Sequence, residues 1–167
     1  MLKKILRPYQ GLSKEVWFMA LTMFVNRAGA MVVPFLSLYL TNFLDFSLEK
    51  VGWIMSCYGL GSVAGVFIGG KLADRVGYYK VMYMSLLGTG LVFFSIQFIT
   101  DFYSLCIGVF SLTIIADMFR PAVWVALDDY SEEDNRTRSV TLIRLAINLG
   151  FSMGPAIGGL LITFVSY

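Results

Sequence analysis

Four charged side chains lie inside long apolar stretches of this sequence: Arg27, Asp117, Arg120 and Arg144. A charge at the centre of a bilayer costs at least about 2.5 kcal/mol on insertion scales, so each of them needs a partner or a water-filled cavity. Asp117 and Arg120 are three residues apart and therefore share a helical face. Because a carboxylate between an apolar surrounding and a guanidinium can change between its charged and neutral forms, this pair is a candidate proton site. The alternative is a static ion pair.

Two more pairs of polar residues are candidates for holding a solute. Asn26 and Arg27 lie in the first apolar stretch, where a guanidinium can hold a carboxylate of a ligand or of a neighbouring helix. The alternative for Arg27 is an ion pair with Asp117. Arg144 and Asn148 are four residues apart and share a face of the last stretch. Arg144 either binds an anionic group there, or pairs locally or extends toward the membrane surface.

The elements that must position these side chains are membrane-spanning helices. With 57% hydrophobic and 14% charged residues, the chain departs from soluble domains, in which about 25% of residues are charged. Its apolar runs are long enough to cross a hydrocarbon core, which takes about 20 helical residues, and they lack the alternation of barrel strands. The predicted fold class is an all-α integral membrane protein, with five spans at about residues 15–40, 51–70, 81–99, 103–127 and 139–165.

Charges in the connecting segments predict the orientation of these spans. One side of the membrane would hold only one basic residue, Lys50. By the positive-inside rule, the N-terminus and the connections after the second and fourth runs are cytoplasmic. The first run is longer than the apolar core of a signal peptide, so we expect a retained span. The basic residues on the cytoplasmic side are Lys3, Lys4, Arg7, Lys14, Lys71, Arg75, Lys80, Arg136 and Arg138.

The residue types in the chain argue against several classes of site. The sequence has no histidine, which excludes His-based triads and His metal sites. Cys57 and Cys106 lie in predicted spans, where a cysteine usually behaves as a small apolar residue. No nucleophile occurs beside a base, and there is no glycine-rich phosphate loop. We therefore expect neither an enzyme, a cofactor, a metal site nor a nucleic-acid partner.

A motif between the second and third runs points to a family. Gly70, Leu72, Asp74, Arg75 and Gly77 resemble the cytoplasmic loop signature of the major facilitator superfamily. The resemblance implies that Asp74 lies against a helix N-terminus of the other half of a transporter, where the helix dipole favours a carboxylate, and that the loop acts as a latch. The alternatives are that Asp74 caps the third-span helix or pairs with Arg75.

The last run contains a second motif, which consists of Gly150, Gly154, Pro155, Gly158 and Gly159. It resembles the fifth-helix signature of the proton-coupled drug antiporters of this family, and Arg120 resembles the fourth-helix arginine that proton-coupled members use near the proton site. Glycines four residues apart share a face that lets another helix approach closely, while the proline predicts a bend. Plain helix packing is the alternative for these glycines, because the second run has the same period in Gly61, Gly65 and Gly69.

The resemblance implies an architecture and an activity. The chain is similar to spans one to five of the first six-helix half of the family, an inverted 3+3 repeat whose sixth helix is missing. The implied activity is secondary active transport of a small solute by alternating access, and proton-coupled efflux by antiport is favoured. One alternative is a proton-coupled peptide-type symporter, because Arg144 and Asn148 are similar to the fifth helix of the oligopeptide transporters. The other is a non-transporting structural or regulatory membrane subunit.

The implied partners are the lipid bilayer, a small-molecule substrate and protons. The implied location is the plasma membrane, with the N-terminus in the cytoplasm. Because the run of spans stops after the fifth, we expect a fragment that needs a sixth helix and a C-terminal half for transport.

Overall fold

The computed structural model describes residue 9 and residues 11–30 and 32–165. Three of the basic N-terminal residues, Lys3, Lys4 and Arg7, lie outside the described residues. The described part of the chain is helical and contains no strand. In chain order its helices are α1 (Lys14–Gly29), α2 (Val32–Asn42), α3 (Leu48–Val76), α4 (Tyr78–Ile96), α5 (Phe102–Asp117), α6 (Phe119–Tyr130) and α7 (Arg136–Val165).

Four helical segments in the described residues are long and apolar enough to cross a membrane. They are Leu48–Val76, Tyr78–Ile96, Phe102–Tyr130 and Arg136–Leu161, and they correspond to the second to fifth predicted runs. The first predicted run, residues 15–40, forms two shorter helices, α1 and α2. That this run crosses the membrane as one span stays a prediction.

Side-chain caps begin three of the helices. The Ser13 hydroxyl accepts a hydrogen bond from the Val16 N–H at the start of α1. Ser47 does the same at the start of α3. Asp101 Oδ2 accepts the Ser104 N–H at 2.9 Å and caps α5. That hydrogen bond favours the charged carboxylate, so it lowers the pKa of Asp101 below its ordinary value.

The chain divides into two compact units. One unit contains α1 and α7, which pack against each other. The other unit contains most of α2, all of α3 to α5 and most of α6, and within it α3 packs along α5 while α4 contacts both. One apolar cluster of this unit lies between α2, α3 and α5 and consists of the buried residues Leu40, Val51, Ile54, Leu105 and Val109. Arg27, Arg144 and Asn148 therefore lie in one unit, and Asp117 and Arg120 lie in the other.

Candidate functional site

The fourth predicted span is interrupted at its centre, directly after Asp117. Helix α5 ends at Asp117, Met118 is its C-cap, and α6 begins at Phe119. Pro121 is the cause, because it has no N–H to donate to the Asp117 carbonyl four residues earlier and its ring crowds that carbonyl. The sequence interpretation had one unbroken run over residues 103–127. The proline four residues after the candidate carboxylate is the sequence signal that could have located the break.

The Asp117 carboxylate has a different partner on each oxygen. The Ser62 hydroxyl donates a hydrogen bond to Oδ2, and Arg120 Nη1 lies 3.8 Å from Oδ1. Asp117 is 9% exposed. The structure therefore brings together Asp117 and Arg120, the two residues of the candidate proton site, and adds Ser62 from α3. Sequence reasoning missed Ser62, although it directly follows a glycine of the second run.

A second serine holds α4 against the interrupted span. Ser85 is fully buried, and its hydroxyl donates to the Ile115 carbonyl at 2.6 Å and more weakly to the Ala116 carbonyl at 3.3 Å. A helix interruption leaves carbonyls without their usual N–H partners, and a neighbouring hydroxyl can satisfy them. Ser85 therefore fixes the backbone just before Asp117.

Close helix approach lets the Ser62 hydroxyl reach Asp117. The three buried glycines of α3 pack on the α5 backbone and its C-cap; we call Gly61, Gly65 and Gly69 the glycine seam. A Cβ atom built on Gly61 would lie 2.6 Å from the Phe110 carbonyl oxygen. One built on Gly69 would lie 2.5 Å from the Met118 Cα. The seam has no room for a side chain, which is the geometry expected of small-residue packing between membrane helices.

The other unit repeats this arrangement with different residues. Gly150, Gly154 and Gly158 of α7 are buried, and Gly150 and Gly154 lie against α1. A Cβ atom on Gly150 would lie 2.7 Å from the Arg27 Cβ, and one on Gly154 would lie 2.6 Å from the Ala28 carbonyl oxygen. Helix α7 continues through Pro155 without interruption, and Gly159 is half-buried with open space around it. Gly150 and Gly154 of the fifth-helix motif thus form a packing face against α1.

Arg27 lies beside this packing face in the last turn of α1. Its guanidinium carbon is 5.7 Å from the centre of the Phe151 ring, a cation–π geometry. A positive side chain in the last turn of a helix also interacts favourably with the helix dipole. Its neighbour Asn26 is half-buried. The alternative pairing of Arg27 with Asp117 stays a prediction, because the two residues belong to different units.

The Arg144 and Asn148 side chains are exposed on α7 and belong to a longer row of polar residues. We call this row the polar stripe; its exposed members are Thr137, Thr141, Arg144, Asn148 and Ser152. Spacings of three and four residues place them on one helical face. An adjacent face is exposed and apolar, with Leu145, Leu149 and Met153. Sequence reasoning found two members of the stripe, and the same spacing rule locates the other three.

The latch motif is mostly helical. Helix α3 continues to Val76, so Gly70, Leu72, Asp74 and Arg75 lie in its last two turns and Gly77 alone makes the corner to α4. Gly77 has φ of 88°, a conformation that glycine adopts without strain. The helix thus continues six residues beyond Gly70, where the second predicted run ends. Asp74 and Arg75 are exposed, and Leu72 packs on a buried cluster that contains Val81.

One alternative role for Asp74 is excluded by this geometry. The N-cap of α4 is Gly77, and no side chain caps that helix. Asp74 therefore does not cap the third-span helix, and its carboxylate is exposed at the end of α3.

Comparison with known proteins gives similarity over most of the chain. The family described as Major Facilitator Superfamily matches residues 16–167. An uncharacterized MFS-type transporter of Bacillus subtilis (strain 168), YqjV, is 28% identical over 137 residues, which are 82% of this chain and 33% of that protein. The multi-drug resistance efflux pump PmrA homolog of Lactococcus lactis subsp. lactis (strain IL1403) is 24% identical over 160 residues, or 93% of this chain and 40% of the pump.

The quinolone resistance protein NorA of Staphylococcus aureus (strain N315) is also similar. It is 24% identical over 149 residues, which are 89% of this chain and 38% of NorA. This chain therefore spans between about a third and two fifths of the length of the curated relatives described.

Proposed function

Because this chain belongs to the major facilitator superfamily, we propose that it forms part of a secondary transporter that exports a small solute from the cell in exchange for protons. The chain is an integral membrane protein of a transporter family. Support for efflux comes from two similar proteins whose names describe a multi-drug efflux pump and quinolone resistance. The observation that carries the proposed proton coupling is the nearly buried Asp117 at the interruption of the fourth span.

Asp117 is the proposed proton carrier, and its partners explain how proton binding could be sensed. When the carboxylate is charged, Arg120 is its counter-ion and Ser62 donates to it. Binding a proton removes the negative charge, so Arg120 loses its counter-ion and is free to reorient. The Arg120 side chain is 49% exposed and so has room to move. Proton binding would thereby be linked to the position of a positive charge in the membrane interior.

The polar stripe of α7 is the proposed path of the solute. Polar residues on a lipid-facing surface are costly, so a stripe along a spanning helix favours a water-filled cavity. The stripe carries one positive charge, from Arg144, and hydroxyl and amide groups, and the adjacent leucine face suits lipid. In the complete protein, a sixth helix and a second half would close this cavity. Arg27 and Asn26 are the proposed solute contacts from α1.

The latch assignment is part of the same proposal. An exposed carboxylate at the end of α3 suits the N-terminus of a helix from the second half, because the helix dipole is positive there. The latch would lie in the cytoplasm and the protein in the plasma membrane. Breaking the contact would be needed each time the transporter opens toward the cytoplasm.

A coupled transport assay on the complete protein tests the proton site. We would prepare everted membrane vesicles, impose an inward-acid pH gradient, and measure quinolone accumulation together with the dissipation of the gradient. Asp117→Asn should reduce proton-coupled accumulation at least tenfold, because the amide cannot bind and release a proton. The matched control is Asp129→Asn, which changes an exposed carboxylate at the end of α6.

The outcomes separate the parts of the proposal. Coupled accumulation by Asp117→Asn at the wild-type level would make Asp117 a static partner of Arg120. Wild-type vesicles that accumulate no quinolone and show no substrate-dependent proton movement would contradict drug efflux.

The polar stripe also supports a second candidate, a proton-coupled peptide-type symporter. Arg144 is exposed on the stripe and offers a guanidinium to the carboxylate of a peptide. Uptake of a labelled dipeptide into whole cells, driven by external acid and lost in Arg144→Gln, would favour this candidate over efflux.

A further inference from the structure

The only two cysteines of the chain lie opposite each other at one end of the glycine seam. Along the seam, Gly61 contacts Phe110, Gly65 contacts Ile114 and Gly69 contacts Met118. Each of these pairs is separated by 49 residues (110 − 61, 114 − 65 and 118 − 69), so α3 and the fourth span run in the same direction in a constant register. Cys57 and Cys106 are also separated by 49 residues (106 − 57) and occupy the next position of the register, one turn before Gly61.

The register brings the two thiol groups to the same level of the seam, on helices that pack along each other. Both residues are half-buried, and Cys106 packs on the apolar cluster that contains Ile54 and Val109. Neither thiol takes part in the proposed proton site or in the polar stripe.

Helix separation at the seam suits a disulfide bond. A disulfide needs Cα atoms roughly 4.4–6.8 Å apart, whereas ordinary helix pairs have axes about 8–10 Å apart and rarely bring two Cα atoms so close. Glycine packing brings the α3 and α5 backbones closer than ordinary side chains allow, as shown by the 2.6 Å that would separate a Gly61 Cβ from the Phe110 oxygen. Cys57 and Cys106 lie one turn before this contact in the same register, so two short side chains face each other there.

We propose that Cys57 and Cys106 form a redox modification site, which an oxidant converts to a disulfide that joins α3 to α5. In the reaction two S–H bonds break and one S–S bond forms. Two protons pass to water, and two electrons pass to the oxidant, for example two Cu(II) ions of copper-phenanthroline that become Cu(I). The bond would fix one end of the glycine seam and make α3 and α5 a single covalent element.

The test counts free thiols in the complete protein. Cysteines outside residues 1–167 are replaced by serine, and membranes are treated with copper-phenanthroline for increasing times. The protein is then denatured, reacted with N-ethylmaleimide and weighed by mass spectrometry. The untreated protein should carry two N-ethylmaleimide adducts. After oxidation the monomer should carry none, and reduction should restore both. Cys57→Ser and Cys106→Ser should each keep one adduct after oxidation.

A register control separates a specific site from general reactivity. Ser56 is exposed and lies one residue, or about 100°, around α3 from Cys57. The double variant Ser56→Cys, Cys57→Ser keeps two thiols and should close at least tenfold more slowly than wild type. Two adducts on fully oxidised wild type, a disulfide-linked dimer instead of a closed monomer, or equally fast closure by the register control would each overturn the proposal. None of these readouts depends on transport, so failure of the efflux proposal leaves them interpretable.

Discussion

The Ser62 hydroxyl on α3 donates a hydrogen bond to Asp117 Oδ2 on α5. This bond crosses the glycine seam, so the close approach of the two helices and the environment of the carboxylate are parts of one arrangement. The seam places α3 close to the helix interruption, and Ser62 adds a donor that offsets part of the cost of holding a carboxylate among apolar residues.

Ser62→Ala should destabilise the protein and weaken proton coupling. A hydrogen bond to a charged group contributes about 1.5–3 kcal/mol, and its removal leaves Asp117 Oδ2 without this donor. Thermal unfolding in detergent measures the first effect, and the vesicle assay measures the second. Ser56→Ala is the control, because the Ser56 hydroxyl donates only to the Gly52 carbonyl of its own helix. Equal behaviour of the two variants would remove Ser62 from the proposed proton site.

The glycine seam predicts a large difference between two glycine-to-alanine changes in α3. A Cβ atom on Gly65 would lie 2.9 Å from the Ile114 Cα and would also contact its carbonyl oxygen, both backbone atoms that cannot turn away. We expect Gly65→Ala to cost about 1–3 kcal/mol or more by overpacking. Gly59 has open space around it, so Gly59→Ala should be neutral or stabilise by up to about 1 kcal/mol through helix propensity. Unfolding midpoints of the two variants check this; equal midpoints would contradict the close helix approach.

Much of the fold is predictable from the sequence because long apolar runs have few alternatives in a membrane. The family and the all-α membrane class are confirmed by the family match and the four long apolar helices. Helix ends were less predictable: hydropathy falls at Gly70, but the helix continues to Val76. The segment after Gly70 contains the good helix formers Lys71, Ala73 and Arg75. The positive φ at Gly77 was easier to predict, because glycine adopts that conformation without strain.

The partners of the candidate residues were harder to predict. Arg120 is three residues from Asp117 on one helix, so spacing was sufficient to pair them. Ser62 is 55 residues away on another helix, and its contact depends on the register of the glycine seam, which one sequence does not fix. The same reason explains why the two cysteines were interpreted separately.

The cap at Asp101, which precedes the fourth predicted run, predicts that the stability of the protein depends on pH. Because its pKa is lowered in the folded protein, the stabilisation is fully present above its unfolded pKa, near 3.8, and is lost as the pH falls through the lower folded value. Unfolding midpoints measured between about pH 2 and 6 should fall at the acid end. Asp101→Asn keeps an N-cap oxygen and should lose this part of the acid dependence, whereas Asp101→Ala should lower the midpoint above pH 4 as well. If Asp101→Asn leaves the acid dependence unchanged, other carboxylates are its cause.

The two units use the same packing device, which gives a prediction for α7. In each unit a glycine-containing helix lies along a helix that carries a charged candidate residue, and the two helices run in the same direction. Gly61 lies against Phe110 and Gly69 against Met118. In the other unit, Gly150 lies against Phe24 and Gly154 against Ala28. This agreement is what an inverted repeat of three helices would produce, because spans one and five then correspond to spans four and two.

Gly150→Ala should therefore disturb Arg27 as well as stability. The added Cβ would lie 2.7 Å from the Arg27 Cβ and 2.8 Å from the Phe24 carbonyl oxygen, so α1 must move away and the Arg27 contact with Phe151 must change. We expect a loss of about 1–3 kcal/mol and reduced transport by the complete protein, measured by unfolding and by the vesicle assay. Gly159→Ala lies on the same helix with open space around it and is the matched control. If Gly150→Ala loses stability but transports normally once folded, Arg27 is a packing residue; if both decline relative to the control, Arg27 contributes to the solute path.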